Sequence, residues 1–216
     1  MPRPKGSRDA DHETKRRELL RRMTVRMMRR EVVRPSLRDL AATAEVSVPT
    51  LRHYFGGRAD LFDAMLAEVL RQGRPGLDAQ SHSDRPFADS IRDYAEALVR
   101  ALAAPREVRL GDVFAVSLAE GLLDPEVSRS TLTHIVDPTL ETLEARLRHH
   151  MDRGEMIQTD ARAAALMLLS PLLLASLHQD QLQGAAVRPI ALDELAADLT
   201  SAFIRAYGTP PADPLA

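Results

Sequence analysis

Thr50, Arg52, His53 and Tyr54 stand in one short run and offer a hydroxyl, a guanidinium, an imidazole and a phenol. They are groups that read nucleic acid. A guanidinium pairs with the acceptor edge of guanine, and hydroxyls and phenols hold phosphate oxygens. Val48, Leu51 and Phe55 are interleaved with them at helical spacing. The spacing predicts a helix from about Val48 to Tyr54 that turns its apolar side inward and presents Pro49, Thr50, Arg52 and His53. Ser47 is placed to cap it, and Pro49 is tolerated in a first turn whose amides have no intrahelical partner. Beyond the Gly56-Gly57 break, Arg58-Ala59-Asp60 opens another helix, and Arg58 near its N-terminus is a candidate phosphate ligand.

A second short helix must precede the first to hold it. Leu37, Leu40, Ala41 and Ala44 recur at helical spacing, and Ser36 followed by Asp39 has the spacing of a capping box, so this helix is expected to start at Leu37. Two short helices joined by a tight turn, the second with a polar outer face, describe a helix-turn-helix whose second member lies in the major groove. Ser36 and Arg38 at the start of the first helix, with Ser47, join the candidate DNA contacts.

Val46-Ser47, Thr50-Leu51, the His53-Tyr54-Phe55 cluster, and then Arg58 and Leu61 together resemble the DNA-binding signature of the tetracycline-repressor (TetR/AcrR) family of bacterial transcription regulators. The resemblance spans about residues 13–69. It implies an all-α protein with an N-terminal three-helix DNA-binding domain and a C-terminal helical domain for ligand binding and dimerisation. Two positions depart from the family pattern: Glu45 stands where a glycine is usual in the turn, and Arg52 where a tyrosine is common. A non-glycine residue at positive φ carries a steric cost, and Arg52 points to altered base contacts.

Charge supports a nucleic-acid partner once it is divided by segment. The chain carries a net −2, but residues 1–60 hold 15 Lys and Arg against 8 Asp and Glu, an excess of +7, while the rest holds 14 against 23, or −9. A basic head on an acidic body suits phosphate binding by the head alone; well-solvated arginine-rich helices are the opposing reading. The 216 residues are 44% apolar, enough for a substantial core. The absence of cysteine excludes disulfides and cysteine-built zinc sites and fits a cytoplasmic location. No apolar stretch follows the basic start, and the apolar run 163–177 is interrupted by Ser170 and Pro171, so neither secretion nor a membrane is expected.

The division expected is a flexible basic tail over 1–11, a helix-turn-helix DNA-binding domain over 12–75 and a helical regulatory and dimerisation domain over 76–216. The tail reads either as a basic arm or as an inert terminus. A first helix is expected over about 12–33 with Leu20, Met23, Met27 and Met28 as core, and Gly73-Arg74-Pro75-Gly76 with the polar run 80–85 as the interruption between domains. In the body, helices are expected over 87–104, 108–122 and 125–153, the last kinked or restarted at Pro138. Residues 160–178 are apolar nearly all round, and 192–207 form a last amphipathic helix. These two helices are expected to pair with their symmetry mates in a homodimer, because two heads reading two half-sites gain specificity; packing within the monomer core is the alternative.

Motifs for catalysis are lacking: there is no GxSxG, phosphate-binding glycine loop, HExxH or dinucleotide-binding glycine triplet. Adjacent His149 and His150 point about 100° apart on a helix and cannot share a metal as an i, i+4 pair does, so they read as a solvated helix end. No enzyme activity, cofactor or metal is expected. The expected function is a DNA-binding repressor released from double-stranded operator DNA by a small, mainly apolar or aromatic effector. Tyr94, Leu98, Phe114, Leu118, His134 and Met167 are the candidate lining. The alternatives are a constitutive DNA-binding regulator without effector, and an all-helical enzyme or small-molecule carrier.

Overall fold

A computed structural model describes residues 5–28 and 34–210 of the chain. The described residues are mostly helical, and among them the only β-pairing is an isolated bridge between Met156 and Gly208. Pro2, Arg3 and Pro4 of the expected tail, Arg29 and Arg30, and the expected helix end at Val33 lie outside the described residues. The chain divides into two compact units, Met1–Gln72 with Arg106–Ile135 and Gly73–Pro105 with Val136–Ala216.

In the first unit, α1 (Lys5–Met27) starts before the His12 expected, so residues 5–11 continue a helix rather than form a tail. Leu19, Leu20, Met23, Met27 and Met28 are buried on it. Helix α2 (Leu37–Thr43) and α3 (Val48–Phe55) follow, each with its predicted cap. The capping box is complete: the Asp39 amide donates to Ser36 Oγ, and the Ser36 amide donates to the Asp39 carboxylate. The Ser36 hydroxyl also donates to that carboxylate at 2.7 Å, and this bond first, then the one from the Ser36 amide, holds the Asp39 carboxyl below its ordinary range.

Helix α4 (Arg58–Gln80) does not break at Gly73-Arg74-Pro75-Gly76, as the sequence suggests. All four residues are exposed, so water can serve the carbonyl that Pro75 leaves without a donor, and the helix continues across it. Helices α6 (Leu110–Leu123) and α7 (Pro125–Thr131) cluster with the N-terminal segment, whereas the division expected from sequence assigned them to the body. Long-range side-chain bonds account for this grouping. Glu120 pairs with Arg34 and Arg58, and Ser130 and His134 both reach Asp63.

The second unit is built from α5 (Phe87–Ala103), α8 (Asp137–Asp152), α9 (Ala161–Ser176) and α11 (Leu192–Tyr207), with the single turn α10 (Gly184–Val187) between the last two. Helix α9 packs against α5, α8 and α11. Its buried side is Ala164, Ala165, Leu168, Leu169 and Leu172. The restart expected at Pro138 is a wide π turn, Leu132–Val136, after which α8 begins with the proline in its first turn. A second π turn, Leu177–Gln181, prolongs α9, so that Ala161–Gln181 is long and apolar enough by length and composition to cross a membrane. The buried face it turns to α5, α8 and α11 is what a core helix requires.

Candidate nucleic-acid interface

Leu51 and Phe55 anchor α3, at 1% and 6% exposure, which leaves Pro49, Arg52 and His53 exposed and Thr50 and Tyr54 half-buried. Thr50 is drawn to the helix start, where its amide donates to Ser47 Oγ and the two hydroxyls lie 2.8 Å apart. Among the described residues, Arg38 at the start of α2 and Arg52 on α3 make no side-chain hydrogen bond or ion pair, and both project into solvent. The Ser36 hydroxyl is committed to its cap. His53, edge-on to Tyr54 at 5.8 Å, completes the exposed polar face.

The turn ahead of α3 answers the question raised by Glu45. Its φ is +57°, the left-handed conformation that a glycine adopts without strain. The Val46 amide donates to Ala41 O and the Glu45 amide to Ala42 O, the paired bonds that close a helix in a Schellman motif. The Glu45 carboxylate accepts from Arg22 on α1 at 3.3 Å, so the residue that strains the turn also ties it to the neighbouring helix. After α3 the chain reverses at Gly56, φ +75°, where a Cβ would lie 2.4 Å from Asp60 Oδ2. Asp60 in turn accepts from the Gly57 amide and fixes the entry to α4.

Tyr54 and Arg58, both expected to hold phosphate, make contacts within the protein. The Tyr54 ring stacks on His12 of α1 at 4.8 Å and lines a cleft of about 450 Å³ beside Arg16, Arg17 and Glu68. Arg58 turns away from the surface: it donates to Pro35 O and, at 2.9 Å, to Glu120 Oε1. Glu120 is 4% exposed and also accepts from Arg34 Nε at 2.8 Å. Arg34 Nη2 sits 2.7 Å from the other carboxylate oxygen, without the alignment of a hydrogen bond. Arg58 is thus half of a buried clamp that fastens the start of α4 to the start of α2 and to α6. Glu120 and Arg34 are functional neighbours that sequence reasoning missed, because Glu120 is 62 residues from Arg58 and carries no local signature.

The residues expected to line an effector site are divided between the two units. Tyr94 and Leu98 share the buried face of α5 in the second unit. Burial pushes the Tyr94 phenol upward, and the Arg146 guanidinium sits 5.6 Å from the centre of its ring. Phe114, buried, and His134, whose Nε2 is 2.9 Å from Asp63 Oδ1, belong to the first unit. Two of them, Leu118 and Met167, are not on the inward faces expected for them. Leu118 is 38% and Met167 63% exposed, because α6 and α9 are apolar on several sides and spacing alone does not say which side is inward.

Comparison with known proteins agrees with this geometry. Residues 34–65 match the family profile described as bacterial regulatory proteins, tetR family, and residues 89–209 match that of the AefR-like transcriptional repressor, C-terminal domain. The chain belongs to the TetR family. It is a DNA-binding transcriptional regulator, of a family of regulators rather than enzymes. Among solved structures, a Mesorhizobium loti protein assigned to the TetR-family regulators is similar at TM-score 0.73 and 19% identity, covering 92% of this chain and 98% of that one. A transcriptional regulator from Saccharomonospora viridis, solved in complex with choline, is similar at TM-score 0.68 and 19% identity, covering 90% and 98%. SmeT, the repressor of the Stenotrophomonas maltophilia multidrug efflux pump SmeDEF, is similar at TM-score 0.60 and 18% identity, covering 90% of each chain. No curated protein matches the chain. This TetR-family chain carries Glu45 in the turn ahead of α3 at a φ of +57°.

Proposed function

We propose that the protein is a cytoplasmic homodimeric repressor that reads two operator half-sites with α3 and is released by a small, mainly apolar or aromatic molecule. The observation that carries the DNA-reading half of the proposal is the outer face of α3, where Arg52 and His53 are exposed while Leu51 and Phe55 hold the helix from behind. Arg52 is assigned to a base edge, Arg38 and Thr50 to phosphate, and Pro49 to apolar contact.

Dimerisation through α9 and α11 is supported by the face that α9 leaves uncovered. Leu166, Met167 and Leu174 are 44%, 63% and 65% exposed and lie along one side of that helix. Tyr207 of α11 donates to Met167 Sδ at 2.8 Å, which sets the two helices side by side. Burying such a stripe against a symmetry mate removes apolar area from water at about 25 cal/mol per Å².

Release by a ligand requires only that the ligand favour the conformation that does not fit the operator. Of the residues expected to line its site, Tyr94 and Leu98 are retained. The Saccharomonospora viridis relative binds choline, so a compact apolar cation belongs in the screen beside aromatic compounds.

The test is fluorescence anisotropy on DNA from upstream of the protein's own gene. Binding is expected with steep salt dependence, weakened at one base position by roughly 1–3 kcal/mol in Arg52→Ala. Equal weakening on every sequence would refute base reading, and a monomer in light scattering at micromolar concentration would refute the dimer.

A further inference from the structure

The loop between α4 and α5 carries His82 and Asp84, and it folds against the end of α8 where His149 stands. His82 Nε2 lies 3.1 Å and His149 Nε2 3.6 Å from the same oxygen, Asp84 Oδ1. One donor atom from each of the three residues falls within 4.8 Å of the others. The two imidazole rings approach to 3.9 Å between centroids. The neighbouring His150 does not belong to this group. It is fully buried and held by other partners, with Nδ1 on Glu155 at 2.7 Å and Nε2 on Ser90 Oγ at 2.8 Å, which corrects the reading of both histidines as a solvated helix end.

We propose that His82, Asp84 and His149 form a binding site for a divalent transition-metal cation of the zinc class. Two imidazoles and a carboxylate are the donor set that suits Zn²⁺, Co²⁺ and Ni²⁺. A tetrahedral ion with bonds of about 2.0–2.1 Å separates its ligands by about 3.3 Å. The two edges that meet at Asp84 Oδ1, 3.1 and 3.6 Å, bracket that spacing. His149 Nε2 is buried and, among the described residues, has no hydrogen-bond partner. A buried ring nitrogen without a partner is costly, and coordination to a metal removes that cost.

The backbone around the set is fixed independently of any ion. Arg146, 3% exposed, donates to Gln80 O at 2.7 Å and Ser90 Oγ at 2.8 Å and reaches His82 O at 3.4 Å. The loop that brings two ligands is therefore pinned to the helix that brings the third. One group opposes the ion. Arg153 Nη1 lies 3.8 Å from Asp84 Oδ1 and donates to Asp84 O, while Glu155 holds the other arm of its guanidinium at 2.7 Å. Three protein ligands leave a coordination position for water, the form of an open rather than a closed site.

The experiment uses the untagged full-length protein, stripped with chelator and titrated with Zn²⁺ by calorimetry and with Co²⁺ by visible absorption. One equivalent per chain is expected, with the intense d–d bands of a tetrahedral Co²⁺ complex. Excess Zn²⁺ at about 100 times its Kd is expected to raise Tm by about 5–10 °C. His82→Ala, in an exposed loop, and His149→Gln are each expected to lose the Co²⁺ spectrum and the Tm gain while keeping the helical circular dichroism. Arg153→Ala is expected to bind more tightly. Binding that is absent at 100-fold excess of metal over protein, or that persists undiminished in both histidine variants, overturns the site.

Discussion

Removing Glu120 is expected to loosen the DNA-reading head without touching a DNA-facing residue. Its carboxylate is 4% exposed and accepts charge-assisted hydrogen bonds from Arg58 at 2.9 Å and Arg34 at 2.8 Å. Such bonds contribute about 1.5–3 kcal/mol each, and orphaning a buried charge costs about 3–5 kcal/mol. In Glu120→Ala the partners left behind are Arg34, 45% exposed, and Arg58, 23% exposed, so water relieves part of the loss and about 3 kcal/mol is expected. For a chain of this size that lowers Tm by about 6–12 °C. Glu120→Gln keeps an acceptor and drops the charge, with about half the effect. Arg58→Ala leaves Glu120 paired to Arg34 and is expected to cost about 2 kcal/mol.

The double variant with Glu120→Ala then closes a cycle with a coupling of about 1.5–3 kcal/mol, measured by denaturant unfolding. Operator binding supplies the independent readout. A phosphate ligand contributes about 0.9 to the slope of log K against log salt, and a clamp residue contributes nothing. Arg58→Ala is expected to leave that slope unchanged. A coupling below about 0.5 kcal/mol together with a slope reduced by about 0.9 per chain would show that Arg58 holds phosphate and that the clamp is incidental.

Three further outcomes follow from the local geometry. Glu45→Gly relieves a left-handed non-glycine residue, a strain of about 1–2 kcal/mol, and differential scanning calorimetry is expected to show a higher Tm despite loss of the contact with Arg22. Gly56→Ala meets both a φ of +75° and a Cβ contact of 2.4 Å with Asp60 Oδ2, and is expected to destabilise by about 1–3 kcal/mol, read as a lower urea midpoint. The Asp39 carboxyl is depressed in the folded state, so the stability it contributes is present above the unfolded value of about 4 and is lost as pH falls through the lower folded value. The Tm difference between wild type and Asp39→Asn is therefore expected to hold from pH 6 to pH 5 and to shrink below about pH 4; a constant difference across that range contradicts the assignment.

What was legible in the sequence was local. The capping box at Ser36 and Asp39, the Ser47 cap and the restart at Pro138 are each decided by residues within a few positions of one another, and the structure has all three. Residues on helices with one apolar face, such as Leu51 and Tyr94, were also placed correctly. Leu118 and Met167 were not, because α6 and α9 are apolar on several sides and their orientation depends on partners far along the chain. The same distance hid the Glu120 clamp and the meeting of His82 with His149, whose side chains converge only when the 81–86 loop is pinned by Arg146.

The two motif positions that looked most informative changed meaning for a related reason. Glu45 departs from the usual glycine, yet the turn has the left-handed φ and the paired amide bonds that end a helix there. What the turn requires is a backbone conformation, which a glutamate meets at a steric cost while it gains a tie to Arg22. Arg58 matches the basic position of the motif, yet its guanidinium faces Glu120 and Pro35 O. A basic residue at that position is thus explained by the packing of α2, α4 and α6 before any phosphate is invoked. In the proposed reading, sequence specificity is left to the exposed residues of α3, with Arg52, the second departure, foremost among them.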